Sequence, residues 1–243
     1  MQKRLSVFTL IMAFIMTTGS AAVAAAAAQE SWITDTKTGF QVGYVSGSNF
    51  TLIAASWSGS AVKGKAEGKG TLTLTVRDKD GKDFQGGGEV EMVAGLLDGK
   101  CFLKWTGGSI YDGYYKAGKR EGKGVEKLPD GSIYDGEWKN GVPFGQGIAS
   151  YTDGRHYQGE WKGRRNGQGI MKWPNGQIYD GEWKDNIMDG KGVLKYNDGT
   201  GWVTYKGDFR NDSPNGYGIL KDASGNVKYE GEWKDGRRAE KAE

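Results

Sequence analysis

The chain contains one cysteine, Cys101, and one histidine, His156, in 243 residues. A lone cysteine excludes an intramolecular disulfide; it reads as a small buried hydrophobe or as one half of an intermolecular bridge. A lone histidine excludes His-rich metal clusters, and no G-x-S-x-G elbow accompanies it for nucleophilic catalysis. Long Leu/Ile/Val runs are absent beyond the first 28 residues, as is any helical segment able to cover a sheet between Gly59 and Lys234. Both absences argue against a compact α/β enzyme. Charge of one sign is scarce as well. The formal net charge is +3, and setting aside residues 1–28, with Lys3 and Arg4 and no acid, lowers it by two, to +1. That balance lacks the basic footprint of a nucleic-acid binder.

What the chain does have is 42 glycines, 9 tryptophans and 12 tyrosines. Its start is a separate object. A basic "MQKR", an apolar "LSVFTLIMAFIM" and a small-residue "TTGSAAVAAAAAQE" with A-x-A sites make residues 1–28 a signal peptide or, alternatively, an N-terminal anchor. Either form sends the rest of the chain across a membrane, because Lys3 and Arg4 stay on the cytoplasmic side. A lead-in segment, 29–56, follows. Less regular repeats then occupy 57–110, regular ones 111–236, and a polar tail 237–243.

The repeat starts at Tyr111, Tyr134, Tyr157, Tyr179, Tyr205 and Tyr229, in steps of 23, 23, 22, 26 and 24 residues. A period of this size marks a repeat architecture. In "YDGEW" the residues alternate, so Tyr134, Gly136 and Trp138 share one face of a strand while Asp135 and Glu137 take the other. Asn140-Gly141 supplies a tight turn into "GQGIASY", and Asp153-Gly154 turns the chain into the next unit. Each unit is thus a hairpin, and His156 stands where neighbouring units carry Ile133 and Ile178, an ordinary strand position. Glycine weakens a strand, so the recurrent G-x-G needs a cause. We expect Trp138, Trp161, Trp183 and Trp233 to lie across the bare backbone at the glycines of a neighbouring strand, where a side chain would collide. The separation from aromatic to G-x-G is seven residues from Tyr115, Trp138, Trp183 and Phe209, and one shorter from Trp161.

The pattern Y-x-G-x-W-x(6)-G-x-G followed by a D-G turn resembles the MORN repeat (membrane occupation and recognition nexus), from about Trp57 to Gly236. Phe84 to Gly99 keeps little of the pattern. The expected fold is all-β: an elongated, twisted, single-layer antiparallel meander of tandem β-hairpin repeats. The resemblance implies a scaffold or binding surface that docks protein partners or touches membrane phospholipid.

Other chemistry is weakly represented. The ladder Asp135, Glu137, Glu160, Asp180, Glu182, Asp208, Glu230 and Glu232 has the residue type of a glycosidase or cation site, but a periodic ladder lacks a unique pocket to set one carboxylate apart. Lysines at fixed places, such as Lys139 and Lys162, point instead to cross-strand pairing on a solvated face. "GKAEGKG" and "GKREGKG" lack the full phosphate-loop pattern. No catalytic residue, metal or cofactor is assigned. The sequence therefore reads as a non-enzymatic, exported repeat scaffold, periplasmic or extracellular, with an envelope protein or membrane phospholipid as partner and room for a homo-oligomer. The rivals are a cell-envelope glycan binder and a glycosidase-like enzyme. The candidate site is an aromatic groove lined by Tyr134, Trp138, Tyr157, Trp161, Tyr179 and Trp183, whose outer ring edges would face a partner.

Overall fold

A computed structural model describes residues 29–46 and 50–239 of the chain. The expected signal segment, 1–28, and the last residues of the polar tail, 240–243, lie outside the described residues. All 19 regular elements among the described residues are strands, as the tandem-hairpin reading requires. The chain divides into two units, Met1–Val142 and Pro143–Glu243.

In the first unit, β1 (Gln29–Thr34) and β2 (Gln41–Ser46) form a hairpin. The strands β3 (Phe50–Trp57), β5 (Lys65–Asp78), β6 (Asp83–Val93), β7 (Leu96–Trp105), β8 (Ile110–Lys116), β9 (Lys119–Lys127) and β10 (Ile133–Lys139) then pair antiparallel, each with the next. The short β4 (Ser60–Val62) pairs with the start of β5. Leu52, Leu72, Leu74, Val76, Val90, Met92, Leu97 and Leu103 make an aliphatic cluster with Trp57 and Phe84. Val42 of β2 is buried in the same cluster and Ile33 and Phe40 pack against it, so the lead-in segment adds a small second layer here. This is where the sequence has its "TLTLTV" alternation, whose leucines and valine all face inward.

The second unit is built from rings and glycines. Its strands are β11 (Val142–Ser150), β12 (His156–Lys162), β13 (Arg165–Lys172), β14 (Ile178–Lys184), β15 (Ile187–Asn197), β16 (Trp202–Arg210), β17 (Ser213–Asp222), β18 (Val227–Lys234) and β19 (Arg237–Arg238). They pair antiparallel in chain order. The first residues of the expected tail thus return as β19, with Arg238 opposite Trp233. The register places Gly147, Gly159, Gly169, Gly181, Gly192, Gly207, Gly218 and Gly231 directly opposite one another, a row of glycine across the unit. One large ring removes about 150–250 Å² from water, more than a leucine does, so rings over glycine supply the core that aliphatics would elsewhere.

The two glycines of each G-x-G do different jobs. Between the pairs Gly159–Gly169 and Trp161–Arg165, β12 advances two residues while β13 advances four, so β13 carries a bulge. Gly167 sits in that bulge with φ +65°, in the left-handed region. The Glu160 carboxylate accepts the Gln168 N–H at 3.1 Å and closes the bulge. Gly190 with Glu182 and Lys191 repeats the arrangement in the next hairpin. The second glycine, Gly169, lies instead in the glycine row, on the face covered by rings.

Candidate functional site

The six residues of the expected groove are where the period-2 pattern puts them, on one face, but that face is closed. Tyr134, Trp138, Tyr157, Trp161, Tyr179 and Trp183 are between 0 and 4% exposed. The hydroxyls do not reach solvent either. Tyr134 donates to the Glu137 carbonyl, Tyr157 to that of Glu160 and Tyr179 to that of Glu182, at 2.9–3.0 Å. The indoles are likewise engaged: Trp138 Nε1 donates to the Gly124 carbonyl, Trp161 to Gly147 and Trp183 to Gly169. The expectation of outer ring edges open to a partner is therefore corrected, because each ring's polar end is turned back onto the backbone. These rings are the core.

The packing expectation holds in part: Trp138, Trp161, Trp183 and Trp233 stand opposite glycines of the neighbouring strand, but over the central glycine row of the regular repeats the covering ring is tyrosine, whereas in the first unit Trp57 lies over Gly59 and Gly70. A Cβ on Gly169 would stand 2.5 Å from Tyr157 Cζ, and one on Gly192 would stand 2.5 Å from Tyr179 Cε2. Tryptophan packs edge-to-face on the tyrosines instead. Tyr157 meets Trp161 at 5.2 Å and Trp183 at 5.5 Å, with interplanar angles of 89° and 87°. Tyr179 continues the chain to Trp183 and Phe209, and Tyr205 to Phe209 and Trp233. In the first unit Tyr134 and Tyr111 flank Trp138 in the same way. Burial drives the phenol groups upward in pKa; for Tyr205 it reaches about 12.

Two arginines enter this core, and neither was foreseen. The Arg165 guanidinium lies 4.6 Å from the Trp183 ring and donates to the side-chain and backbone oxygens of Asn186. Arg120 lies 4.0 Å from the Trp138 ring and pairs with Glu126, which is 2% exposed. Glu126 occupies the inward position opposite tyrosine that Met171, Leu194 and Leu220 hold elsewhere. Burial raises its carboxyl, and the Arg120 guanidinium offsets that only in part. One of its oxygens, Oε2, has no hydrogen-bond partner. The sequence signal existed: aligned on Tyr134, "GVEK" places Glu126 in a slot that is apolar in other units.

The opposite face is open. Ile148 is 37% exposed there. Across the strands it lines up with Gln158, Ile170, Asp180, Val193, Lys206 and Ile219, so an apolar side chain recurs on every second strand. His156 sits on this face between Ser150 and Lys172, an ordinary strand position. Of the acidic ladder, Glu160 and Glu182 accept backbone N–H groups and Asp208 pairs with Lys191 at 2.9 Å. No group of three or more metal-ligating side chains occurs among the described residues. Cys101 is buried, and desolvation pushes its thiol up to about 11.

No curated protein matches the chain. Among solved structures it is similar to a streptogramin B lyase structure at 13% identity and a TM-score of 0.15, covering 74% of this chain and 58% of that one. A likeness at that TM-score carries no argument about fold or chemistry. The MORN repeat family, by contrast, matches residues 58–76, 111–133, 134–154, 157–178, 179–201, 205–227 and 229–239. These stretches cover more than half of the sequence and coincide with the hairpins whose tyrosines, tryptophans and glycines have just been placed; the chain belongs to the MORN-repeat family.

Proposed function

We propose that this chain is a non-enzymatic, exported scaffold that docks a protein partner or the membrane surface through the outward face of its hairpins. Membership of a repeat family used for binding supports the scaffold part. The observation that carries the choice of face is the outward apolar ladder of Ile148, Ile170, Val193 and Ile219, which no second layer covers among the described residues of the second unit. The inward rings are consumed by packing, and exposed apolar patches on a soluble surface are where partners bind. Export rests on the basic, apolar and small-residue order of residues 1–28.

The test is a paired melt and pull-down from envelope extract. Ile170→Ser with Val193→Ser changes only half-exposed outward positions, so the doubly substituted protein is expected to lose no more than about 1–2 kcal/mol of stability. It is expected to recover much less of whatever component the parent retains. Unchanged recovery with an unchanged melt would sink the outward-face assignment, and a mature N-terminus at Met1 in soluble cytoplasm would sink export.

A further inference from the structure

Inside the second unit each hairpin depends on the strand that follows it, and at β18 that supply stops. Tyr157 lies over Gly159 on its own strand and Gly169 on the next, Tyr179 over Gly181 and Gly192, and Tyr205 over Gly207 and Gly218. These three tyrosines are 0% exposed. Tyr229 stands over Gly231 alone and is half-exposed. β19 pairs with Trp233 and Lys234, and Ala239 N–H reaches the Glu232 carbonyl. Beyond them the outer edge of β18 meets no strand among the described residues.

Two further groups on this edge lack the partner that their counterparts have. Glu160 and Glu182 accept the N–H groups of Gln168 and Lys191 on the following strand. Glu232 holds the same place, but among the described residues its only accepting atom is the backbone carbonyl. Lys234 pairs with Arg237 on the β19 side, and hydrogen-bonding groups alternate along a strand, so the N–H and C=O of Glu230 point to the open edge as well. The corresponding residue of β12, Gln158, faces Ile170 of β13. An extended segment of the pattern x-G-x-Φ, with Φ apolar, would complete the edge. It brings an N–H for Glu232, a bare glycine beneath Tyr229, backbone groups for Glu230, and an apolar side chain opposite Tyr229, where Met171, Leu194 and Leu220 stand in the preceding hairpins. The chain's own continuation does not fit. Counted from Arg238 as from Arg165, the place of Gly169 falls on Ala242, and a Cβ at Gly169 would stand 2.5 Å from Tyr157 Cζ. Pairing β18 with its own copy, glycine opposite glycine, would set both Tyr229 rings over the same two glycines.

We propose that the open edge of β18, at residues 229–232, binds an extended, glycine-bearing segment of a partner protein by strand addition, with the segment's glycine opposite Gly231 and its apolar residue opposite Tyr229. This site is separate from the outward face of the hairpins. The probe is a synthetic peptide with the sequence of residues 168–173, QGIMKW, together with its Gly169→Ala twin. Each is titrated into the full chain while amide hydrogen exchange is followed.

The glycine peptide is expected to slow exchange of the Glu230 amide, and the alanine twin to bind at least about tenfold more weakly, because its Cβ meets the Tyr229 ring. Glu230→Pro removes the open-side N–H, a change that edge strands accept, and should abolish binding without changing the melt. Ile170→Ser with Val193→Ser should leave peptide binding intact, since those side chains lie on the outward face. Equal binding of the two peptides, no binding, binding that survives Glu230→Pro, or binding that leaves Glu230 exchange as it was overturns the proposal. So does loss of peptide binding in the Ile170→Ser, Val193→Ser protein, which would put the peptide on the outward face. A chain that sediments as a dimer with the Glu230 amide already protected also overturns it, because a second copy is then the occupant.

Discussion

At the residue scale, the G-x-G motif separates into a conformational glycine and a packing glycine, and substitution tells them apart. Alanine at Gly167 places a Cβ against the Glu160 carboxylate, the movable end of a side chain, and adopts φ +65°. The expected loss is about 1–2 kcal/mol, the usual penalty of the left-handed conformation. Alanine at Gly169 strikes the Tyr157 ring, which is fixed by Trp161, by Trp183 and by its bond to the Glu160 carbonyl. Because neither backbone nor ring can yield, the expected loss exceeds about 3 kcal/mol. Thermal or urea melts of the two variants check the order; equal losses would mean that the ring is not seated on the glycine row.

At the element scale, the hairpins share a two-residue turn with both central residues at positive φ, the hand that suits twisted strands. Asn140-Gly141 has φ of 51° and 86°. In the first unit the turn from β8 to β9 uses Ala117, at φ 45°, where a Cβ is unfavourable. Ala117→Gly is therefore expected to stabilise the protein by about 0.5–1 kcal/mol, the relief of left-handed strain outweighing glycine's extra unfolded-state entropy. A raised urea midpoint with an unchanged m-value would show it, and a lowered midpoint would contradict the turn geometry. The turn from β12 to β13 is the one variant. There Lys162 N–H reaches the Arg164 carbonyl around Gly163, which removes a residue and accounts for the 22-residue step in the sequence.

At the scale of the whole molecule, the tyrosine core makes stability depend on alkali. Tyr111, Tyr134, Tyr157 and Tyr179 are all pushed far up by burial, and Tyr205 to about 12. In the unfolded chain a phenol ionises near 10, so the folded state holds these protons more tightly. That contribution is fully present below about pH 10 and disappears as pH climbs through 12. The melting temperature is expected to be steady from pH 7 to about 9 and to fall steeply above about 10, with tyrosinate absorbance at 295 nm rising together with loss of the fold. Full ionisation with the fold intact near pH 10.5 would show that the phenols are not buried as a set.

The sequence by itself determined the hairpin, the repeat boundaries and which residues share a face, because alternation and turn chemistry act within a few residues of one another. Tyr134, Gly136 and Trp138 needed nothing distant to be placed on one side. It also showed that rings and glycines belong together, since each recurs at a fixed distance from the other. Only the tertiary structure decided which ring lies on which glycine, because that depends on register between strands: Tyr157 covers Gly159 and Gly169, one on its own strand and one on the next. Register likewise decided that the aromatic stripe is interior. Exposure of a face depends on how far rings from successive hairpins interlock, and Tyr157 closing on both Trp161 and Trp183 leaves no groove between those two hairpins. The same cross-strand alignment gathered Ile148, Ile170, Val193 and Ile219, some 22 to 26 residues apart in the chain, into one open row.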